Sequence, residues 1–180
     1  MKIVCIMGMS NSGKSTVEAK LEQIGFKRSI SYTTREPQIR NGKLEENGVE
    51  YRFVSKEKFM KLVDSGKIVE HEEYNGNLYG TPRPYGAKRH VAVVCVGGYK
   101  ALKSLYGDQV LGVYLKCDES IAEKRGVERD GSNELVKNRK NIDRALLQEM
   151  EDSADIIINS NQDLNRMIAD ILKVLTERNL

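Results

Sequence analysis

A chain of 180 residues, 39% hydrophobic and 31% charged, can bury the core of one α/β domain and is too short for two independent ones. Its net charge of +3, from 29 basic and 26 acidic residues, gives no argument for nucleic acid as a partner and fits small anionic ligands equally well. No apolar run approaches the roughly 20 residues that span a bilayer, and one lysine followed by an apolar strand makes no signal peptide. The expected setting is therefore the cytoplasm, with no membrane.

The first apolar run, Ile3 to Met7, predicts a strand that ends in Gly8; Gly13, Lys14, Ser15 and Thr16 follow. This is G-x-x-x-x-G-K-[ST] between a strand and a helix. A helix start exposes unpaired N–H groups and the positive end of the helix dipole, both of which attract anions. Gly8, Ser10, Asn11, Ser12, Gly13, Lys14, Ser15 and Thr16 therefore form a candidate phosphate cradle. Lys14 supplies a point charge to the outer phosphates, and the Ser15 hydroxyl suits Mg²⁺. The motif indicates a nucleotide, ATP or GTP, without fixing the reaction.

Val17, Leu21 and Ile24 recur at helical spacing and Gly25 closes that helix. Phe26 to Tyr32 reads as extended, Thr33 to Gly48 as a polar, turn-rich stretch, and Val49 to Val54 as a strand. Ser55 is a predicted N-cap for a helix through Val63. Lys67 to Tyr74 and Leu78 to Thr81 read as strands joined at Asn75-Gly76-Asn77, a hairpin signal. Val91 to Val96 and Val110 to Leu115 are continuous apolar runs, as parallel strands buried on both faces require. Helices are expected near Tyr99 to Tyr106, from Glu119 and up to about Glu151, with polar, flexible residues from Gly126 to Asn133. Ile156 to Ile158 reads as a last short strand, and Asn161 as the cap of a final helix carrying Leu164, Met167, Ile168, Ile171, Leu172 and Leu175. The alternation predicts a parallel sheet with helices on both faces. Cys5, Cys95 and Cys117 lie in or beside apolar runs, form no C-x-x-C pair and read as buried, reduced thiols.

Further chemistry lies in the middle of the chain. Arg35, in S-Y-T-T-R-E-P, can clamp a second phosphate bidentately. Tyr51 and Tyr79 can donate O–H to phosphate oxygens. Glu70 can accept from a base that presents N–H groups, as guanine does, and the Thr81 hydroxyl can add a bond.

Together these motifs resemble the guanylate kinase family of nucleoside monophosphate kinases. The resemblance runs over nearly the whole length, strongest in G-M-S-N-S-G-K-S-T, S-Y-T-T-R-E-P, N-G-V-E-Y-R-F-V-S, the Glu70 region and G-N-L-Y-G-T-P-R. It implies transfer of the γ-phosphoryl of ATP to GMP or dGMP with Mg²⁺. The implied phosphate clamp is Arg35, Tyr51 and Tyr79; the implied base contacts are Ser31, Glu70 and Thr81. Arg125, Arg129 and Arg139 fall where the family's lid supplies arginines beside the catalytic Lys14. The implied layout is one domain with its core at 1–30, 90–119 and 146–180, a small mixed α/β acceptor-binding insert at 31–89 and a helical lid at 120–145, in a monomer or homodimer. Two positions depart from the pattern. Gln38 stands where the family carries a second clamp arginine, with Arg40 nearby, and the run V-A-V-V-C-V-G-G lacks the family's strand-end acids. A kinase of another phosphorylated acceptor, such as a ribose bisphosphate, and a non-catalytic binding module are the alternatives.

Overall fold

The computed structural model describes residues 1–40, 42–130 and 146–178. In chain order the strands are β1 (Lys2–Met7), β2 (Lys27–Arg28), β3 (Tyr32–Thr33), β4 (Ile39–Arg40), β5 (Lys43–Leu44), β6 (Arg52–Phe53), β7 (Ile68–Tyr74), β8 (Asn77–Pro82), β9 (Arg89–Val93), β10 (Val110–Lys116) and β11 (Ile156–Asn159). The helices are α1 (Lys14–Gln23), α2 (Lys56–Asp64), α3 (Val96–Tyr106), α4 (Glu119–Asp130), α5 (helical at 146–153) and α6 (Leu164–Glu177).

The apolar runs become a five-stranded sheet in the order β11-β10-β1-β9-β2, parallel at every pairing. Alternate residues of β1 serve opposite faces. Val4 and Ile6 pack with Val17 and Leu21 of α1 and with Met167, Ile168, Ile171 and Leu175 of α6. Ile3, Cys5 and Met7 pack with Tyr99 and Leu102 of α3 and Met150 of α5. Helices on both faces explain why the run is apolar throughout rather than alternating. Burial pushes the Cys5 thiol far above its ordinary pKa, so it behaves as a small hydrophobe.

A second, four-stranded sheet, β6-β3-β8-β7, is mixed: β3 is parallel to β6 and antiparallel to β8. Asn75 (φ 50°) and Gly76 (φ 73°) form the tight turn between β7 and β8, which the Asn-Gly pair favours. Phe59 of α2 is fully buried. It closes on Gly80, where a Cβ would come 2.8 Å from both the Phe59 and the Ile68 side chains.

Several boundaries differ from expectation. The extended stretch 26–32 is two short strands in two different sheets. The polar stretch before Gly48 contains the β4–β5 hairpin, with Ile39 paired to Leu44. The strand expected over 49–54 shrinks to Arg52–Phe53, because Gly48 (φ 86°) turns the chain and Val49 stands in that turn. The run 91–96 leaves the sheet after Val94, whose N–H reaches the Ile6 carbonyl, and Val96 already opens α3. The residues from Gly126 to Asp130 are helical. The cap of α6 is Asp163, whose carboxylate accepts from the N–H groups of Asn165 and Arg166. Asn161 instead accepts from the Asp118 N–H, joining the ends of β10 and β11. Among the described residues, no helix is long and apolar enough to cross a membrane.

Candidate active site

Gly8 ends β1 under severe steric limits. A Cβ there would lie 2.7 Å from Ser12 Oγ and 2.9 Å from the Leu115 carbonyl oxygen. Gly13 has open space around it but φ of 93°, so glycine serves backbone shape there. Asn11 shares the left-handed region at φ 64°. The loop then enters α1 with Gly13 as N-cap and no side chain capping the first turn. Those N–H groups suit an anion's oxygens. Among the described residues Asn11 Oδ1 and Ser12 Oγ are buried without a hydrogen-bond partner, unusual for polar atoms and consistent with a ligand-binding loop. Lys14 Nζ crosses the loop and donates to the Gly8 and Met9 carbonyls at 2.8 and 2.7 Å. Ser15 and Thr16 lie on the first turn of α1.

A second cluster brings together Arg35 from the segment between β3 and β4, Tyr51 from just before β6 and Tyr79 from β8. The Arg35 guanidinium carbon lies 5.2 Å from the Tyr51 ring centre and 5.5 Å from that of Phe53. The Tyr51 and Tyr79 rings meet edge-on at 5.8 Å, and Tyr79 is close enough to Arg35 to help raise its pKa. Arg35 is aimed by Glu45, nearly buried, which accepts from both terminal nitrogens at 2.7 and 3.1 Å and from the Gln38 N–H at 2.9 Å. A bidentate pair of this kind fixes the guanidinium plane.

Glu70 stands beside the first turn of α3. Its Oε2 accepts from Thr81 Oγ1 at 3.1 Å, across the β7–β8 pair. Cys95 Sγ lies 3.9 and 3.8 Å from its two oxygens and itself accepts from the Gly98 N–H. Burial raises the Glu70 pKa above the ordinary carboxylate value, with Thr81 opposing that shift. Cys95, desolvated, is pushed up to about 12 and stays a thiol. Gly97 and Gly98 make room for this packing: a Cβ on Gly98 would come 2.5 Å from Thr81 Oγ1. Because β1 and β9 are adjacent and parallel (Ile6 opposite Val93), the phosphate loop and Cys95 leave the sheet at the same edge. Ligands of open parallel sheets bind at such carboxyl ends.

A sequence model of the guanylate kinase family matches residues 1–178. The chain belongs to the guanylate kinase family. It is similar to the guanylate kinase of Chlorobaculum tepidum, 32% identical over 187 residues, covering 98% of this chain and 92% of that one. The guanylate kinase of Porphyromonas gingivalis is also 32% identical, over 80% of each chain. A shorter match, 44% identical over 87 residues, is to that of Mycoplasma capricolum; it covers 47% of this chain and spans only 28% of the relative's length. The fold is similar to the crystal structure of guanylate kinase from Anaplasma phagocytophilum, with a TM-score of 0.71 at 24% identity over 98% of this chain and 85% of that one.

Within this kinase, residues expected from sequence fall in three groups. Gly8 through Thr16 form one continuous loop and helix start. Arg35, Tyr51 and Tyr79 converge, as do Glu70 and Thr81; Ser31, just before β3, accepts from the Arg52 N–H through its backbone carbonyl, and its side chain is not brought to Glu70 by any contact among the described residues. Of the lid arginines, Arg125 donates to the Ser160 carbonyl at 3.2 Å and approaches Cys117 Sγ at 3.7 Å, so it lies against the ends of β10 and β11. The side chain of Arg129, all of Arg139 and the side chain of Arg40 lie outside what is described. Glu45 was not singled out by sequence. It is one acid among several in a charged stretch, and its importance appears only when its burial against Arg35 is seen. Cys95 read as an ordinary buried thiol; its place at a strand end lacking acids was the available signal.

Proposed function

We propose that this kinase transfers the γ-phosphoryl group of ATP to GMP or dGMP, giving ADP and GDP or dGDP. The observation that carries the reading is the convergence of Arg35, Tyr51 and Tyr79 into one clamp, in a chain whose backbone phosphate cradle and Glu70–Cys95 pair lie at the same end of the main sheet. Phosphoryl transfer needs chiefly positioning and neutralisation of oxygen charge, which such an arrangement supplies. The loop at 8–16 holds the donor's phosphates, with Lys14 on the outer ones. Arg35, Tyr51 and Tyr79 hold the acceptor's single phosphate. Glu70 accepts from guanine's ring and amino N–H groups, Thr81 adds a hydroxyl and Ser31 is the third candidate base contact. Arg125, Arg129 and Arg139 are the candidates for neutralising charge on the transferring group.

The donor set fits Mg²⁺. Ser15 offers one hard hydroxyl oxygen at the helix start, and residues 91–98 contain no carboxylate, so the ion would be held through substrate phosphates and water. Bound there, it would neutralise charge on the donor phosphates. The acceptor insert is read as residues 31–89 and the lid as 120–145, working on a core of the remaining chain. A cytoplasmic monomer or homodimer acting on small nucleotides, without nucleic acid, completes the reading.

The test is an assay of the purified protein with ATP and Mg²⁺ against GMP, dGMP, AMP, CMP and UMP. ADP release with the guanine nucleotides alone is expected. Turnover of every monophosphate alike, or of none, would overturn the assignment.

A further inference from the structure

Arg28 lies in β2, at the edge of the main sheet, outside every group described above. One of its nitrogens, Nη2, is 3.0 Å from Glu18 Oε2 on α1 and donates to the Val49 carbonyl, also at 3.0 Å. Its Nη1 lies 3.9 Å from Glu22 Oε2. Glu18 is 5% exposed, a carboxylate buried one turn beyond the phosphate loop. Val49 belongs to the turn at 48–50 that leads into Tyr51. Among the described residues, the turn's other bonds are local: Gly48 N–H to the Tyr51 carbonyl, Val49 N–H to the Glu46 carbonyl and Glu46 N–H to Glu50 Oε2.

We propose that Arg28 is a positioning residue that ties the helix rising from the donor loop to the turn carrying Tyr51, and so fixes the acceptor clamp relative to the donor phosphates. The inference rests on the kinase reading above. Two features separate this from simple core pairing. Among the described residues Arg28 Nε is buried without a hydrogen-bond partner, a cost that a side chain serving only Glu18 would not need to carry. The second bond of Nη2 leaves the core and ends on the backbone of a surface turn. α1 is held by Val17 and Leu21 in the core, whereas among the described residues the backbone of 48–50 is bonded outside its own turn through Arg28, and the next such bond, Arg52 N–H to the Ser31 carbonyl, lies beyond Tyr51, so loosening the tie frees the turn. The Tyr51 ring, 5.2 Å from the Arg35 guanidinium, would drift with it.

Steady-state kinetics of Arg28→Met and of the double variant Glu18→Leu/Arg28→Met test the idea. The double variant removes both ends of the buried pair, which keeps such sites foldable. Both variants should show a KM for GMP about tenfold higher, the loss of one charge-assisted hydrogen bond's worth of ordering, with KM for ATP and kcat at saturating GMP within about twofold. Amide exchange of residues 46–51 should be faster in both, with or without nucleotide. A wild-type KM for GMP in the double variant, an equal rise in both KM values, or unchanged exchange at 46–51 would overturn the tie. Wild-type protein that makes no ADP from GMP would strike down the substrate assignment, and the exchange measurement would still decide the tie.

Discussion

The two anion sites proposed for this kinase are made in opposite ways. The donor site is nine consecutive residues in which backbone shape is decisive: Gly8 and Gly13 are fixed by a close approach and a positive φ, and helix N–H groups do the holding. The proposed acceptor site collects side chains from β8, from Tyr51 just before β6 and from the segment between β3 and β4, each held by another side chain. A backbone cradle fails as a unit when one element is wrong. A network of side chains loses affinity in steps. Changes in the donor loop should therefore damage turnover, and changes in the acceptor clamp should mainly raise the acceptor's KM.

The sharpest break is Lys14→Met. Removing the loop's point charge should lower kcat about a thousandfold, while calorimetry finds GMP affinity within about twofold of wild type. A comparable loss of GMP binding would mean that the two sites are one network after all. Gly8→Ala should come next. With Ser12 Oγ at 2.7 Å and a carbonyl oxygen at 2.9 Å from the new carbon, the loop must shift. ATP affinity should fall about a hundredfold and stability by about 1–3 kcal/mol, read by nucleotide titration and chemical denaturation. Gly13→Ala, which meets nothing within 4 Å, should cost only the left-handed backbone, about 1–2 kcal/mol.

The same contrast governs what the sequence made legible. The donor loop was readable because its constraint is local: strand, glycine spacing, lysine and helix start are contiguous. The main sheet was readable because parallel strands covered on both faces must be apolar throughout, as Ile3–Met7 and Val110–Leu115 are. The acceptor region was readable residue by residue through family likeness, yet its architecture was not. Two-residue strands such as β3 and β6 carry no periodicity, and the β4–β5 hairpin exposes Ile39 and Leu44 at 73% and 65%, so no apolar pattern marks a buried face. Asn161 passed for a helix cap because Asn and Asp share that preference; the choice of Asp163 depends on where β11 ends. Glu45 and Arg28 were invisible because a charged residue's partner is set by tertiary contact.

In the clamp, Arg35→Met should raise the KM for GMP about thirtyfold, since a bidentate phosphate contact is lost. Glu45→Gln should raise it several-fold. The amide can accept from one Arg35 nitrogen where the carboxylate accepts from two, leaving the guanidinium present but poorly aimed. An Arg35→Met enzyme with unchanged KM for GMP and depressed kcat would move Arg35 from the acceptor to the transferring group.

The mildest effect carries the clearest sign. The Glu70 pKa is raised chiefly by burial, so the folded protein holds that proton to a higher pH than the unfolded chain does. Its contribution to stability is complete below the ordinary carboxylate range and is lost as pH rises through the folded value. At neutral pH the ionised group is therefore a small burden on the free protein. Glu70→Gln should remove that burden and raise Tm slightly at pH 7, with the gain shrinking toward pH 4. The same substitution should weaken GMP use, because guanine's N–H groups lose a charged acceptor. In the wild type, KM for GMP should climb as pH falls through the Glu70 pKa and level off above it. A variant less stable than wild type at pH 7, or a KM for GMP flat across that range, would show that Glu70 serves the β7–β8 pair through Thr81 rather than the base.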